Sequence, residues 1–84
     1  MTEATTTALA VADAGSFGAA ARSLGVSQPT VSRRIRDLEG SVELILFERS
    51  ATGVRPTKAG RAFLARARAA QYLLATGLVE ARGE

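Results

Sequence analysis

Residues 27–36 read Ser-Gln-Pro-Thr-Val-Ser-Arg-Arg-Ile-Arg. Three short hydroxyls, one amide and three guanidinium groups fall within ten positions. Such groups hydrogen-bond to phosphate oxygens and to the edges of bases. The Gln28 amide both donates and accepts, so it can pair bidentately with adenine; taken alone, it is equally an ordinary surface glutamine. The Pro29 ring and the Thr30 methyl could meet a thymine methyl, although both also suit a helix start. Ser27 and Ser32 favour anionic oxygens, and Ser27 can also cap a helix.

The surrounding pattern supplies the element that would carry these groups. Val31, Ile35, Leu38 and Val42 recur at spacings of four, three and four, which is one apolar stripe of a helix. Turning by about 100° per residue puts Pro29, Arg33, Arg36 and Gly40 opposite that stripe. Thr30 and Ser32 flank the outer face. Upstream, residues 4–14 form an alanine-rich helix with Leu9 and Val11 as its largest apolar groups. Gly15 ends it, Ser16 caps the next helix and Phe17 packs at its start. That second helix runs to about Leu24, and Gly25 makes the turn into the third. A short helix, a tight turn and a polar-faced second helix make a helix-turn-helix suited to the DNA major groove.

From Leu44 to Thr57 the periodicity changes. Leu46-Phe47-Glu48-Arg49, Ser50-Ala51-Thr52-Gly53 and Val54-Arg55-Pro56-Thr57 read as strand, turn, strand, with Pro56 on an edge. A basic hairpin after a helix-turn-helix is a wing. Thr57 caps a last helix from Lys58 to about Leu78. Ala59, Phe63, Ala67, Ala70, Leu74 and Leu78 form its stripe, beside a row of Ala62, Ala65, Ala69 and Leu73. Its first turns can pack on the domain. Beyond Ala67 no core is left to cover, and small residues there would let a second helix approach closely. That stretch reads as a dimer surface.

Composition narrows the function classes. With 84 residues there is room for one core. The 46% apolar content suits a globular fold, and no run approaches a membrane span, so a soluble protein is expected. The N-terminus has no secretory pattern. Cysteine and histidine are absent, which removes zinc fingers, disulfide scaffolds, thiol nucleophiles and histidine bases. With no convergent carboxylate pair either, an enzyme is not expected. The net charge is +3, but residues 22–68 hold ten cations against four anions, a local balance of +6. A basic middle between acidic ends suits a polyanionic partner. A winged helix serving only protein contacts is the alternative. It would need an apolar outer face where Arg33 and Arg36 stand.

Several pieces in register resemble the N-terminal DNA-binding domain of LysR-type transcriptional regulators. They are Gly15-Ser16-Phe17, Ala20-Ala21 to Leu24, Val26-Ser27-Gln28-Pro29-Thr30-Val31-Ser32-Arg33 with Ile35, Leu38-Glu39, Leu46-Phe47-Glu48-Arg49 and Thr57-Lys58-Ala59-Gly60. The resemblance covers roughly residues 8–80. It implies a mainly α fold: a winged helix-turn-helix with a three-helix core and a short β-hairpin wing, then a long C-terminal linker helix that pairs two subunits. The expected division is residues 1–57 for the DNA-binding unit and 58–84 for the dimerisation helix and tail. The effector-binding domain that normally follows is absent, so a fragment of a longer regulator is expected, with any small-molecule effector bound in the missing part.

The implied function is sequence-specific binding of double-stranded DNA at a dyad-like operator, as a homodimer, in the bacterial cytoplasm and on the nucleoid. No cofactor or metal is implied. Gln28, Pro29 and Thr30 are then the candidates for base contact. Ser27, Ser32, Arg33, Arg36 and Lys58 are candidates for the backbone, and Arg49 and Arg55 for the wing. Arg34 is left to pair with Glu39 or with another helix. Phe63, Ala67, Ala70, Leu74 and Leu78 are the dimer candidates. Two departures from the family pattern stand out. The first helix has Ala8, among Thr5, Thr6 and Thr7, where bulkier groups are usual, so its packing should be thin. Glu43 and Ile45 stand where glycine and proline are common before the wing, so the bend there should differ in shape.

Overall fold

The computed structural model describes residues 2–83; of these, the side chains of Leu78 and Val79 are outside the description. The order is α1 (Glu3–Ala14), α2 (Phe17–Leu24), α3 (Gln28–Val42), β1 (Phe47–Ser50), β2 (Gly53–Pro56) and α4 (Lys58–Ala81). The predicted helix starts and the ends of α1 and α2 hold because the caps are local chemistry, whereas α4 runs on to Ala81, past the expected Leu78. Thr2, Ser16 and Ser27 each accept an amide from three residues on, and Gly15 and Gly25 close α1 and α2 in the left-handed conformation. Each hydroxyl cap is worth about 1 kcal/mol. Thr57 does the same for α4, accepting from Gly60 N at 2.9 Å.

The predicted stripe of α3 is its buried face: Val31, Ile35 and Leu38 are buried, with Val42 half-buried at the edge. Each such aliphatic side chain contributes about 1.5–3 kcal/mol by leaving water. They meet Ala8, Leu9 and Val11 of α1, Ala20 and Ala21 of α2, Leu46 and Phe47, and Leu64 and Ala67 of α4. The thin packing expected of α1 is met with small groups. Ala8 is fully buried, and the buried Thr7 turns its hydroxyl back to Glu3 O at 2.8 Å. An otherwise costly polar atom is thereby satisfied within its own helix.

The wing is an antiparallel pair with Phe47 opposite Pro56 and Ser50 opposite Gly53. The turn is tighter than the four residues expected, since Ser50 and Gly53 pair in the strands and only Ala51 and Thr52 lie between them. Gly53 has φ 146, and a Cβ there would stand 2.2 Å from Gly15 O. Only glycine fits, and the close approach lets Val54 N donate to Gly15 O at 2.9 Å. The wing is thus pinned to the α1–α2 turn.

The first turns of α4 pack on the core, but along a line shifted from the predicted one. Gly60, Leu64 and Ala67 are buried, while Phe63 is half-buried. Leu64 stood in neither predicted row. Gly60 passes so close to Leu46 that an added Cβ would lie 2.0 Å from Leu46 O. Beyond Ala67 the helix touches the domain only at its surface, where Arg68 pairs with Asp13 and Gln71 lies beside α1 and the end of α2; Tyr72, Leu73 and Leu74 are exposed. The Cα radius of gyration is 13.6 Å, above the ~12 Å of a compact chain this long. Among the described residues, no helix is long and apolar enough to cross a membrane.

Candidate nucleic-acid interface

The site begins at the N-terminus of α3. Ser27 Oγ accepts from Thr30 N at 3.2 Å and shares a hydrogen bond with Thr30 Oγ1 at 2.8 Å. Both hydroxyls therefore fix the helix start, which leaves Gln28 and Pro29 exposed at its tip. One turn on are Ser32 and Arg33, then Arg36. Gln28, Pro29, Ser32, Arg33 and Arg36 line one shallow surface depression, opposite the buried stripe. Those five of the predicted contact residues are brought together by helical spacing alone.

A deeper groove of about 490 Å³ runs beside this ridge. Its walls are the start of α2 (Ser16 to Gly18), the Gln28–Glu39 side of α3, and the wing at Phe47, Glu48, Arg49, Gly53 and Val54. Gly18 leaves room for the Gln28 side chain, whose Oε1 lies 3.3 Å from where a Cβ on Gly18 would be. Arg22 Nη1 lies 3.7 Å from the same point. Arg22 entered the sequence reading only as one cation among ten, because nothing in its spacing ties α2 to the tip of α3.

Ion pairing sorts the remaining cations. Arg34 pairs with Glu3 of α1 at 3.1 Å, so it faces another helix and not Glu39. Arg55 Nε lies 3.2 Å from Glu48 Oε1, directly across the wing. Both groups are well exposed, and such a pair is worth no more than about 1 kcal/mol. Arg55 is absent from the groove wall, whereas Arg49 lines it. Among the described residues Arg22, Arg33, Arg36, Arg49 and Lys58 have no ion-pair partner and are exposed. Lys58 opens α4 and lines neither the ridge depression nor the groove. Glu39, expected at most to balance Arg34, instead accepts from Leu46 N at 2.6 Å and Phe47 N at 3.3 Å. No local pattern foretold this, since its partners are backbone amides seven and eight residues away.

The dimer stripe divides in two. Ala67 is buried in the chain's own core, and Phe63 packs against that core while remaining half-buried. Ala70 and Leu74 are exposed, together with Tyr72 and Leu73. The Leu78 side chain lies outside the described residues.

A capped helix with a polar ridge, a turn of fixed geometry and a basic hairpin together define a winged helix-turn-helix. The family model for bacterial regulatory helix-turn-helix proteins of the lysR family matches residues 3–61. The chain therefore belongs to the LysR family, as its helix-turn-helix DNA-binding domain. It is 47% identical over 75 residues to a small neutral protease regulatory protein of Streptomyces coelicolor, covering 89% of this chain and 24% of that protein. It is 55% identical over 60 residues to the HTH-type transcriptional regulator TfdS of Cupriavidus pinatubonensis, covering 71% and 20%. The chain thus spans a quarter or less of the length of these relatives. Its fold matches the CbnR DBD–DNA complex with a TM-score of 0.88 at 39% identity, covering 95% of this chain and 92% of that one. The BenM DBD complex with benA site 1 DNA matches with a TM-score of 0.89 at 28% identity, covering 94% and 89%. The relatives are transcriptional regulators and not enzymes.

Proposed function

We propose that this chain binds double-stranded DNA sequence-specifically, as a homodimer on a dyad-like operator, for a bacterial transcriptional regulator. The observation that carries this reading is the exposed ridge of Gln28, Pro29, Ser32, Arg33 and Arg36 on a capped helix whose other face is buried. Helix α3 enters the major groove, where Gln28, Pro29 and Thr30 meet base edges. Ser27, Ser32, Arg33, Arg36 and Lys58 hold phosphates, and Arg49 and Arg55 carry the wing to the flanking backbone or minor groove. Phosphate contacts supply most of the affinity and a steep salt dependence.

Residues 1–57 act as the DNA-contacting unit and 58–84 as the linker helix, which pairs with its copy through Ala70, Leu74 and their neighbours Tyr72 and Leu73. Any small-molecule effector belongs to a domain outside this chain, and the site of action is the nucleoid in the cytoplasm. The DNA complexes of CbnR and BenM support the reading, as does the cation balance of residues 22–68. The test is selection of bound fragments from a genomic library, followed by sequencing. A shared dyad-like site is the expected result. Recovery of fragments in proportion to their abundance, at every salt concentration, would reject specific binding.

A further inference from the structure

One side chain of α3 holds the start of the wing by hydrogen bonds. Among the described residues, the only side-chain hydrogen bonds that join α3 to β1 or its approach are those Glu39 accepts from Leu46 N (2.6 Å) and Phe47 N (3.3 Å); the Glu39 carbonyl also accepts from Leu44 N at 3.2 Å. Both amides lead into β1, and both bonds end on the same oxygen, Oε2. Leu46 is fully buried and Phe47 nearly so. The Leu46 carbonyl accepts from Thr57 N at 2.9 Å, and Thr57 Oγ1 donates to Ile45 O at 2.6 Å. One residue therefore has its amide held by α3 and its carbonyl held by the start of α4. A carboxylate can accept from two successive amides at once, and bonds to a charged acceptor are stronger than neutral ones.

The position of this lock gives it a consequence for recognition. Glu39 borders the groove between the α3 ridge and Arg49. On the other side the wing is pinned to the Gly15 turn through Val54. Leu46 and Phe47 pack in the core with Val31, Ile35 and Leu38, but that packing is non-directional, and the Glu39 carboxylate supplies the side-chain hydrogen bonds that fix the wing's register against the helix that carries Gln28.

We infer that Glu39 is a positioning residue for DNA binding: its carboxylate sets the wing against the recognition helix, so that Arg49 reaches DNA in register with Gln28. The inference rests on the proposed DNA contacts. It assigns Glu39 no contact with DNA. Its carboxylate is engaged with two backbone amides instead.

The test is a double-mutant comparison on the selected operator duplex, with Glu39→Ala, Glu39→Gln, Arg49→Ala, Gln28→Ala and their pairs. Arg49→Ala should cost several-fold in affinity in the wild-type background and almost nothing in the Glu39→Ala background. Gln28→Ala should cost the same in both. Glu39→Gln keeps an acceptor oxygen of the same reach and should recover most of the loss. Hydroxyl-radical footprints should lose flanking protection in Glu39→Ala and keep the centre. Additive losses for Glu39 and Arg49, or equal coupling of Glu39 to Gln28 and Arg49, would overturn the inference.

Amide exchange at Leu46 and Phe47 in the free protein provides a readout without DNA. Exchange there should quicken in Glu39→Leu, which has no acceptor, and far less in Glu39→Gln, while Val31 and Ile35 stay protected. If those two amides keep wild-type protection in Glu39→Leu, the lock does not exist. Glu39→Leu keeps the side-chain bulk, so this readout also covers Glu39→Ala failing to fold. If the wild-type chain ignores the operator yet the amides respond as expected, the DNA reading fails and the lock stands.

Discussion

Arg33 and Gln28 stand on the same ridge but are asked to do different work. Arg33 is exposed, has no ion-pair partner among the described residues and lies opposite the buried Val31–Ile35–Leu38 stripe. Arg33→Ala should weaken binding to operator and random duplex alike, and lower the salt slope by about 0.9 per lost phosphate contact. A loss confined to the operator would show that Arg33 reads a base. Gln28 sits at the helix tip, with its amide over Gly18. A base-edge contact there is worth about 1–3 kcal/mol, so Gln28→Ala should shrink the ratio of operator to random affinity by roughly 5- to 150-fold. The same ratio before and after the change would rule out direct readout.

The element most at odds with its own chemistry is the end of α3. Glu43 closes that helix at φ 57, the only non-glycine residue with positive φ among those described. A left-handed conformation costs an L-residue about 1–2 kcal/mol, and glycine is common here in the family the chain resembles. Glycine relieves this strain but loses more backbone entropy on folding, by about 0.5–1 kcal/mol. Glu43→Gly should therefore stabilise the domain by about 0.5–1 kcal/mol. In a domain this small that raises Tm by about 2–8 °C. Thermal unfolding followed by circular dichroism, at fixed protein concentration, checks it. A lowered Tm would mean that the Glu43 side chain makes up for the strain. The wing and the start of α4 have no such conflict, because glycine stands at Gly53 and Gly60, where backbone comes too close for a Cβ.

At the scale of the molecule, the protruding half of α4 leaves Tyr72, Leu73 and Leu74 between 52% and 71% exposed. Contiguous apolar side chains on one helix mark an interface, and a second copy crossing here would give the two-fold symmetry a dyad operator needs. The double change Leu73→Glu with Leu74→Glu should leave the domain folded, since neither residue touches the core, and give a monomer with poor operator affinity. Sedimentation at micromolar concentration measures it. If the unaltered chain is monomeric there, and remains so on DNA, α4 does not pair the subunits.

The local signals were legible in the chain itself. Ser16 and Ser27 cap because a hydroxyl three residues before an amide needs no help from the rest of the fold. Val31, Ile35 and Leu38 face inward because helical spacing lines them up, and that spacing leaves Gln28, Ser32, Arg33 and Arg36 together on the outside. What depends on distant partners was not legible. Glu39 had to meet the Leu46 and Phe47 amides, Arg34 had to find Glu3, and Arg55 was drawn to Glu48 across the wing. The α4 stripe likewise divided between core and solvent where the domain ended, taking Leu64 and Ala67 in and leaving Leu74 out. Periodicity decides which side chains share a face, but only the packed neighbours decide what that face meets. The sequence by itself therefore determined the helices, their caps and the polar ridge. The tertiary structure decided which charges are paired and how the wing is held beside that ridge.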